Sequence, residues 1–164
     1  MIRKVFKKRK PNKQIDAIIT KYKIPREYLS INRKTVANAM LVGIFFAMIP
    51  MPMQMVAVVL CVPFIKFNVP LGVSLVWITN PFTMPVIFYG EYLLGNFLLF
   101  RDGVHNVELT VEWFQTNLDD IFVPMYFGAF VTAVVLSLSS RYIIIHFWKR
   151  SVHKEKYDKK SLKP

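Results

Sequence analysis

Apolar positions in this chain come in three long blocks rather than in the short periodic stripes of a soluble domain. The first runs from Val36 to Ile65, the second from Val69 to Phe100, and the third from Val123 to Trp148. The third is uninterrupted and predicts one regular helix of about 25 residues, enough to cross a bilayer with some tilt. It opens at Pro124, which a first helical turn tolerates, and closes on Trp148, Lys149 and Arg150, an aromatic and basic anchor.

The first two blocks are broken inside. Pro50, Pro52 and Gln54 interrupt the first, and each half then reaches only roughly 20 Å at ~1.5 Å per residue, against a hydrocarbon core about 30 Å thick. Asn-Pro-Phe-Thr-Met-Pro, from Asn80 through Pro81 and Thr83 to Pro85, interrupts the second. Backbone groups freed by such breaks find no partner in hydrocarbon, so the breaks survive only against protein or a polar cavity.

Ahead of the first block, Ile15, Ile18, Ile19 and Tyr22 carry the spacing of a short amphipathic helix that ends at Pro25. This helix would lie on the headgroups or pack on the membrane domain. Met1 to Lys13 reads as a disordered basic leader, and Lys149 to Pro164 as a soluble tail.

Charge orients the blocks. Residues 1–34 hold 12 Lys+Arg against 2 Asp+Glu, residues 35–140 hold 2 against 6, and residues 141–164 hold 8 against 2. Basic residues immediately outside apolar segments are the positive-inside pattern, so both ends are expected in the cytoplasm and the acidic loop 102–120, with Trp113 and Phe114, outside. The first two blocks must then cross an odd number of times. The economical solution is a re-entrant hairpin for Val36 to Ile65 followed by one discontinuous crossing from Val69 to Phe100; three cramped crossings are the competing solution.

The expected fold class is therefore all-α: a polytopic helical membrane protein with a re-entrant or kinked hairpin, a proline-broken helix and one regular transmembrane helix. Residues 1–34 form a basic N-terminal segment, 35–148 the membrane domain and 149–164 a basic tail. A hydrophobic content of 54% and a mean hydropathy of +0.34 agree with the membrane class. The net charge of +12 has no base-reading module beside it, so nucleic acid is not an expected partner. The single Cys61 excludes an intramolecular disulfide.

Paired broken segments are the pattern that marks a substrate or ion site in transporters. Gln54, Asn80 and Thr83 are the polar side chains beside these breaks, and Pro50, Pro52, Pro81 and Pro85 form them. The competing reading is local: Asn and Thr are good N-cap residues and could simply cap the broken helices. Glu91 is the one acid within an apolar stretch and so a further site candidate, unless it sits near enough to the interface to be satisfied by water or a tyrosine. Lys66 marks a turn at the cytoplasmic surface or a headgroup contact, and Arg141 can snorkel to headgroups.

Gly128 with Thr132, and Ala129 with Ala133, are small-residue pairs suited to close helix approach, and Gly128 is the expected contact of a homo-oligomer. His105, His146 and His153 are too scattered to suggest metal ligands, and the sequence has no nucleophile with a nearby His, no phosphate-binding glycine loop and no convincing carboxylate pair. No cofactor is expected and the protein is read as a non-enzyme.

The strings Asn32-Arg33-Lys34-Thr35-Val36-Ala37, Pro50-x-Pro52-x-Gln54-Met55, Asn68-x-Pro70 and Trp77-x-x-Asn80-Pro81-x-Thr83-Met84-Pro85, followed by Tyr89 to Gly95, resemble a bacterial family of small integral membrane proteins known as domain of unknown function 2062. The resemblance runs from about Tyr28 to Arg150 and departs at Met53, where many relatives have glycine or another small residue. It implies an inner-membrane protein and supplies no catalytic residues. In some relatives the domain lies beside a glycosyltransferase, which implies lipid-linked sugar or envelope chemistry. Two functions follow as expectations: a small transport or lipid-handling module with membrane lipid as partner, or a non-catalytic scaffold for an envelope enzyme.

Overall fold

The computed structural model describes residues 26–103 and 118–161, with side chains for 28–103 and 118–153. The described residues are helical, without strands. After a 3-10 turn at Arg26–Leu29 come α1 (Arg33–Met48), α2 (Gln54–Leu60), α3 (Val69–Leu75), α4 (Met84–Leu99) and the long α5 (Leu118–Ser161). A 3-10 turn, Val76–Ile78, extends α3. The N-terminal amphipathic segment and most of the acidic loop, with Trp113, Phe114 and His105, lie outside the described residues.

Sequence chemistry sets each boundary. Asn32 caps α1 by accepting from the backbone N–H groups of Lys34 at 2.9 Å and Thr35 at 3.0 Å. Thr35 completes the capping box by accepting from the Asn32 N–H at 3.1 Å. The helix stops at Ile49, whose extended backbone is what a following Pro50 requires. At the tip, Met53 adopts a left-handed conformation with φ 58°. A side chain with a Cβ is held there at a cost of roughly 1–2 kcal/mol, which explains why glycine suits this position. Asn68 caps α3 by accepting from the Leu71 N–H at 3.0 Å. Its own side-chain amide donates to the Ser30 carbonyl at 3.2 Å, so the start of α3 is tied to the start of α1.

The helix α5 is the spine of the molecule. The first turns of α1 stand beside Trp148 and Lys149 of α5, Phe45 meets Phe130 edge-on at 6.4 Å, and the Tyr126 hydroxyl donates to the Pro50 carbonyl. Thus α1 runs antiparallel to α5. So does α4: Gly95 abuts Pro124, and the Glu91 carbonyl abuts Gly128. Beyond the end of α4, Arg101 pairs with Asp120 at 3.6 Å. One core gathers Ala39, Val42, Val58, Phe67 and Val76, and a second joins Ile44, Ala47 and Met48 to Ala133.

Two expectations about α5 are corrected. It begins at Leu118, so Pro124 lies inside the helix rather than at its first turn. Asp119 and Asp120 favour the earlier start by complementing the positive end of the helix dipole. Pro124 forfeits one backbone hydrogen bond only two turns in; its side chain is buried and its backbone abuts Gly95. At the other end α5 continues to Ser161 instead of stopping near Trp148, through a Lys-rich stretch whose lysines favour helix.

Among the described residues, Leu118–His153 is one helix long and apolar enough to cross a membrane, its most apolar 18-residue window having a mean hydropathy of 2.1. Only 28% of that apolar window is buried, unlike the central helix of a soluble core. Large apolar side chains are also exposed elsewhere, among them Phe64, Phe82 and Phe97. Water disfavours such a surface and hydrocarbon does not.

Candidate functional site

The chain is non-helical or tightly turned between α1 and α2 and again between the 3-10 turn and α4. The two breaks meet. Thr79 donates its hydroxyl to the Ala47 carbonyl at 2.9 Å, with the Val76 carbonyl as a second acceptor at 3.1 Å. Gln54 donates its amide N–H to the Ile49 carbonyl at 2.8 Å. The Gln54 side-chain oxygen stands 3.4 Å from the Thr79 hydroxyl. Since the last turn of α1 has no helical donors for its own carbonyls, Gln54 and Thr79 supply them. Both side chains are buried.

Asn80 and Thr83 do something different. The Asn80 side-chain oxygen accepts from the N–H groups of Phe82 at 3.0 Å and Thr83 at 3.2 Å. Thr83 accepts from the Asn80 N–H at 2.9 Å and donates to the Ile78 carbonyl at 2.7 Å. Asn32 and Thr35 make the same set of bonds, with Thr35 donating to the Ser30 carbonyl at 2.7 Å. The pattern Asn-x-x-Thr therefore opens two helices, α1 and α4, each of 16 residues and each antiparallel to α5. A local repeat exists, centred on the caps rather than on the proline pairs. Pro85 sits in the first turn of α4, where its missing N–H costs nothing.

Between the breaks lies a cleft of about 450 Å³. Met51, Met53, Met55 and Met84 supply much of its wall, Trp77 stands at its rim, and Gln54 and Asn80 reach it. Thioether side chains are flexible and polarisable and adapt to irregular apolar shapes. The arrangement can hold an apolar chain against a short polar edge.

Glu91 stands apart from this network. It is 2% exposed, on the α4 face that packs on α5, and among the described residues neither carboxylate oxygen has a hydrogen-bond partner. Asn96 is buried with both side-chain polar atoms likewise unpartnered. One turn before Glu91, Ile87 packs on the cluster that holds Ala47 and Ala133, so Glu91 lies one turn beyond the level of the breaks. An unpaired buried carboxyl is costly unless it holds a proton, a cation or a polar group of a ligand.

Lys66 and Arg141 are exposed. The Lys66 carbonyl accepts from Asn38 at 3.0 Å, which fixes Lys66 at the end of the molecule where α1 begins. Neither residue approaches the breaks. Gly128 is corrected as well: its expected contact with a second copy is made instead within the chain, against the Glu91 carbonyl. Among the described residues no group of three or more His, Cys, Asp or Glu is placed to hold a metal.

Sequence reasoning passed over Thr79, Tyr126 and Asn96. The signal for Thr79 was its place directly before Asn80-Pro81, where the helix has already ended and a hydroxyl is free to turn across the break. Tyr126 carried no local signal, because its partner is the distant Pro50.

The model of a family described as an uncharacterized protein conserved in bacteria (DUF2062) matches residues 17–156. No curated protein matches. No solved structure matches either.

Proposed function

The chain belongs to the bacterial family of domain of unknown function 2062, and we propose that it is a small inner-membrane transport or lipid-handling module whose working site is the cleft between the breaks together with Glu91. In this reading α1 and α2 form a re-entrant hairpin, α3 and α4 one discontinuous crossing, and α5 a regular crossing. Both termini are cytoplasmic. The antiparallel packing of α1 and α4 on α5 supports it, because it gathers Arg33, Lys34 and Lys149 at one end of the spine and Asp102, Asp119 and Asp120 at the other. The breaks lie between the levels of Tyr126, which bonds Pro50, and Ala133, which packs with Ala47 and Met48, within the apolar part of α5.

The observation that carries the functional half is Glu91, a buried carboxyl with no hydrogen-bond partner among the described residues, one turn from a methionine-walled cleft. Acids inside membrane segments mark substrate, ion or proton paths. The role is non-catalytic, with membrane lipid as the partner, alone or in a homo-oligomer or beside an envelope enzyme.

One observation favours the scaffold reading. Gln54, Thr79, Asn80 and Thr83 all bond to the chain itself, as purely structural residues would.

The two readings separate on the cleft. Wild type and Met55→Trp, which fills the cleft from its exposed side, are extracted in native-membrane discs and their lipids profiled. The module reading expects one lipid class enriched in wild-type discs over the bulk membrane, and lost in Met55→Trp at unchanged protein level. Identical lipid profiles, both matching the bulk membrane, would leave the scaffold.

A further inference from the structure

A second cleft, of about 570 Å³, opens at the far end of α5 from Glu91. Its walls are the start of α1, with Asn32, Arg33 and Lys34, and the stretch of α5 from Trp148 to His153, with Lys149. The two elements are more than a hundred residues apart in sequence, so the fold brings these cations together. Arg33, Lys34 and Lys149 are exposed, and among the described residues none of them forms an ion pair.

Among the described side chains, no carboxylate stands beside them. The described carboxylate side chains all fall within residues 91–120: Glu91 is buried against α5, and Asp102, Asp119 and Asp120 gather at the opposite end around Arg101. Three like charges converging on one concave surface favour an anion there. Arginine and lysine side by side suit a phosphate, the guanidinium binding in a fork and the ammonium as a point charge. Asn32 spends its side-chain oxygen on the helix cap, so its contribution is as wall and not as ligand.

Position narrows the source of the phosphate. The cleft lies where the apolar part of α5 ends, with the indole of Trp148 in its wall, the level at which lipid headgroups would meet the protein. We propose that this cleft binds the phosphate of an anionic membrane lipid headgroup, through Arg33, Lys34 and Lys149. The inference rests on the membrane reading above but not on the cleft between the breaks, which lies several turns away along α5.

The full chain, purified in a mild neutral detergent, is titrated with phosphatidylglycerol, with phosphatidylcholine and with inorganic phosphate, and bound lipid is read by native mass spectrometry. Wild type is compared with Arg33→Gln/Lys149→Gln and with a control that loses as much charge elsewhere, Lys159→Gln/Lys160→Gln. At a gain of about fivefold per basic residue, the cleft variant should bind phosphatidylglycerol roughly thirtyfold more weakly while the control stays within about twofold of wild type. Phosphatidylcholine should bind wild type weakly and respond little to either variant. Displacement of phosphatidylglycerol by millimolar inorganic phosphate would support the same phosphate site with a free anion as an additional source; no displacement would assign it to lipid alone.

Equal losses in the cleft variant and the control would overturn the site in favour of general charge. Equal affinity for the two lipids in wild type would overturn it too. Arg33→Lys/Lys149→Arg, which keeps the charge, should restore binding, and its failure to do so in a monodisperse sample would also count against the site. Loss of the cleft between the breaks as a lipid site would leave all of these results unchanged.

Discussion

Gly128→Leu should abolish the folded protein, and Gly95→Leu should do the same. A Cβ on Gly128 would overlap the Glu91 carbonyl oxygen, and one on Gly95 would overlap the Pro124 carbonyl. Both obstacles are backbone atoms, which cannot rotate away as a side-chain end could. The helices would have to separate along their whole contact, exposing Glu91 and Asn96. Overpacking of this severity costs at least about 3 kcal/mol, beyond the usual range for a single substitution. Gly90 is the control: a Cβ there meets nothing within 4 Å. Gly90→Ala should be tolerated and should stabilise α4 by about 0.5–1 kcal/mol, the ordinary gain for replacing a mid-helix glycine. Heating followed by size-exclusion chromatography in mild detergent reads all three. A Gly128→Leu protein as stable as wild type would mean that α4 and α5 do not cross at this point.

Glu91→Leu should give the opposite result, a more stable protein that no longer works. Among the described residues the carboxylate has no hydrogen-bond partner, so an apolar side chain of similar size removes an unsatisfied buried group worth about 1–3 kcal/mol. Sites kept for function are where a chain tolerates such a cost. Thermal stability of Glu91→Leu should rise, and rescue of the envelope phenotype of a deletion strain should fail at normal protein levels. Glu91→Gln, which keeps the shape but cannot ionise, should fail to rescue as well. Higher stability with full rescue would remove Glu91 from the site, and lower stability would reveal a partner for the carboxyl.

Both effects depend on packing that the sequence reveals only in part. The breaks are legible because Pro50, Pro52 and Pro81 act locally, disfavouring helix at the residue before each of them, whereas Pro85 falls in the first turn of α4, where proline is tolerated. The left-handed backbone at Met53 is not legible, because a methionine gives no local signal for a positive φ. Asn80 and Thr83 are ambiguous. The same two residue types suit a backbone turn or a ligand site, and only the 2.7–3.2 Å bonds to neighbouring backbone assign them to the turn that leads into α4.

Long-range partners are not legible at all. Thr79 reaches Ala47 and Tyr126 reaches Pro50 across distances in sequence that no periodicity encodes. Gly128 advertises a close approach without saying to what, and α4 of the same chain takes the place expected for a second copy. The length of α5 was misjudged because hydrophobicity ends at Trp148, whereas helix formation needs only residues that favour it and continues to Ser161.

The central claim is that the paired breaks lie at mid-depth in a bilayer, and Trp77 reports on it directly. It stands in the 3-10 turn immediately before Asn80 and is 64% exposed, so it should face lipid. With Trp113→Phe and Trp148→Phe leaving it as the single indole, the full chain is placed in vesicles whose phospholipids carry bromine at graded positions along the acyl chain. The account predicts strongest quenching by bromines near the chain ends, with little by aqueous acrylamide. Strongest quenching by bromines beside the headgroups, or by acrylamide, would place the break at the surface and contradict it.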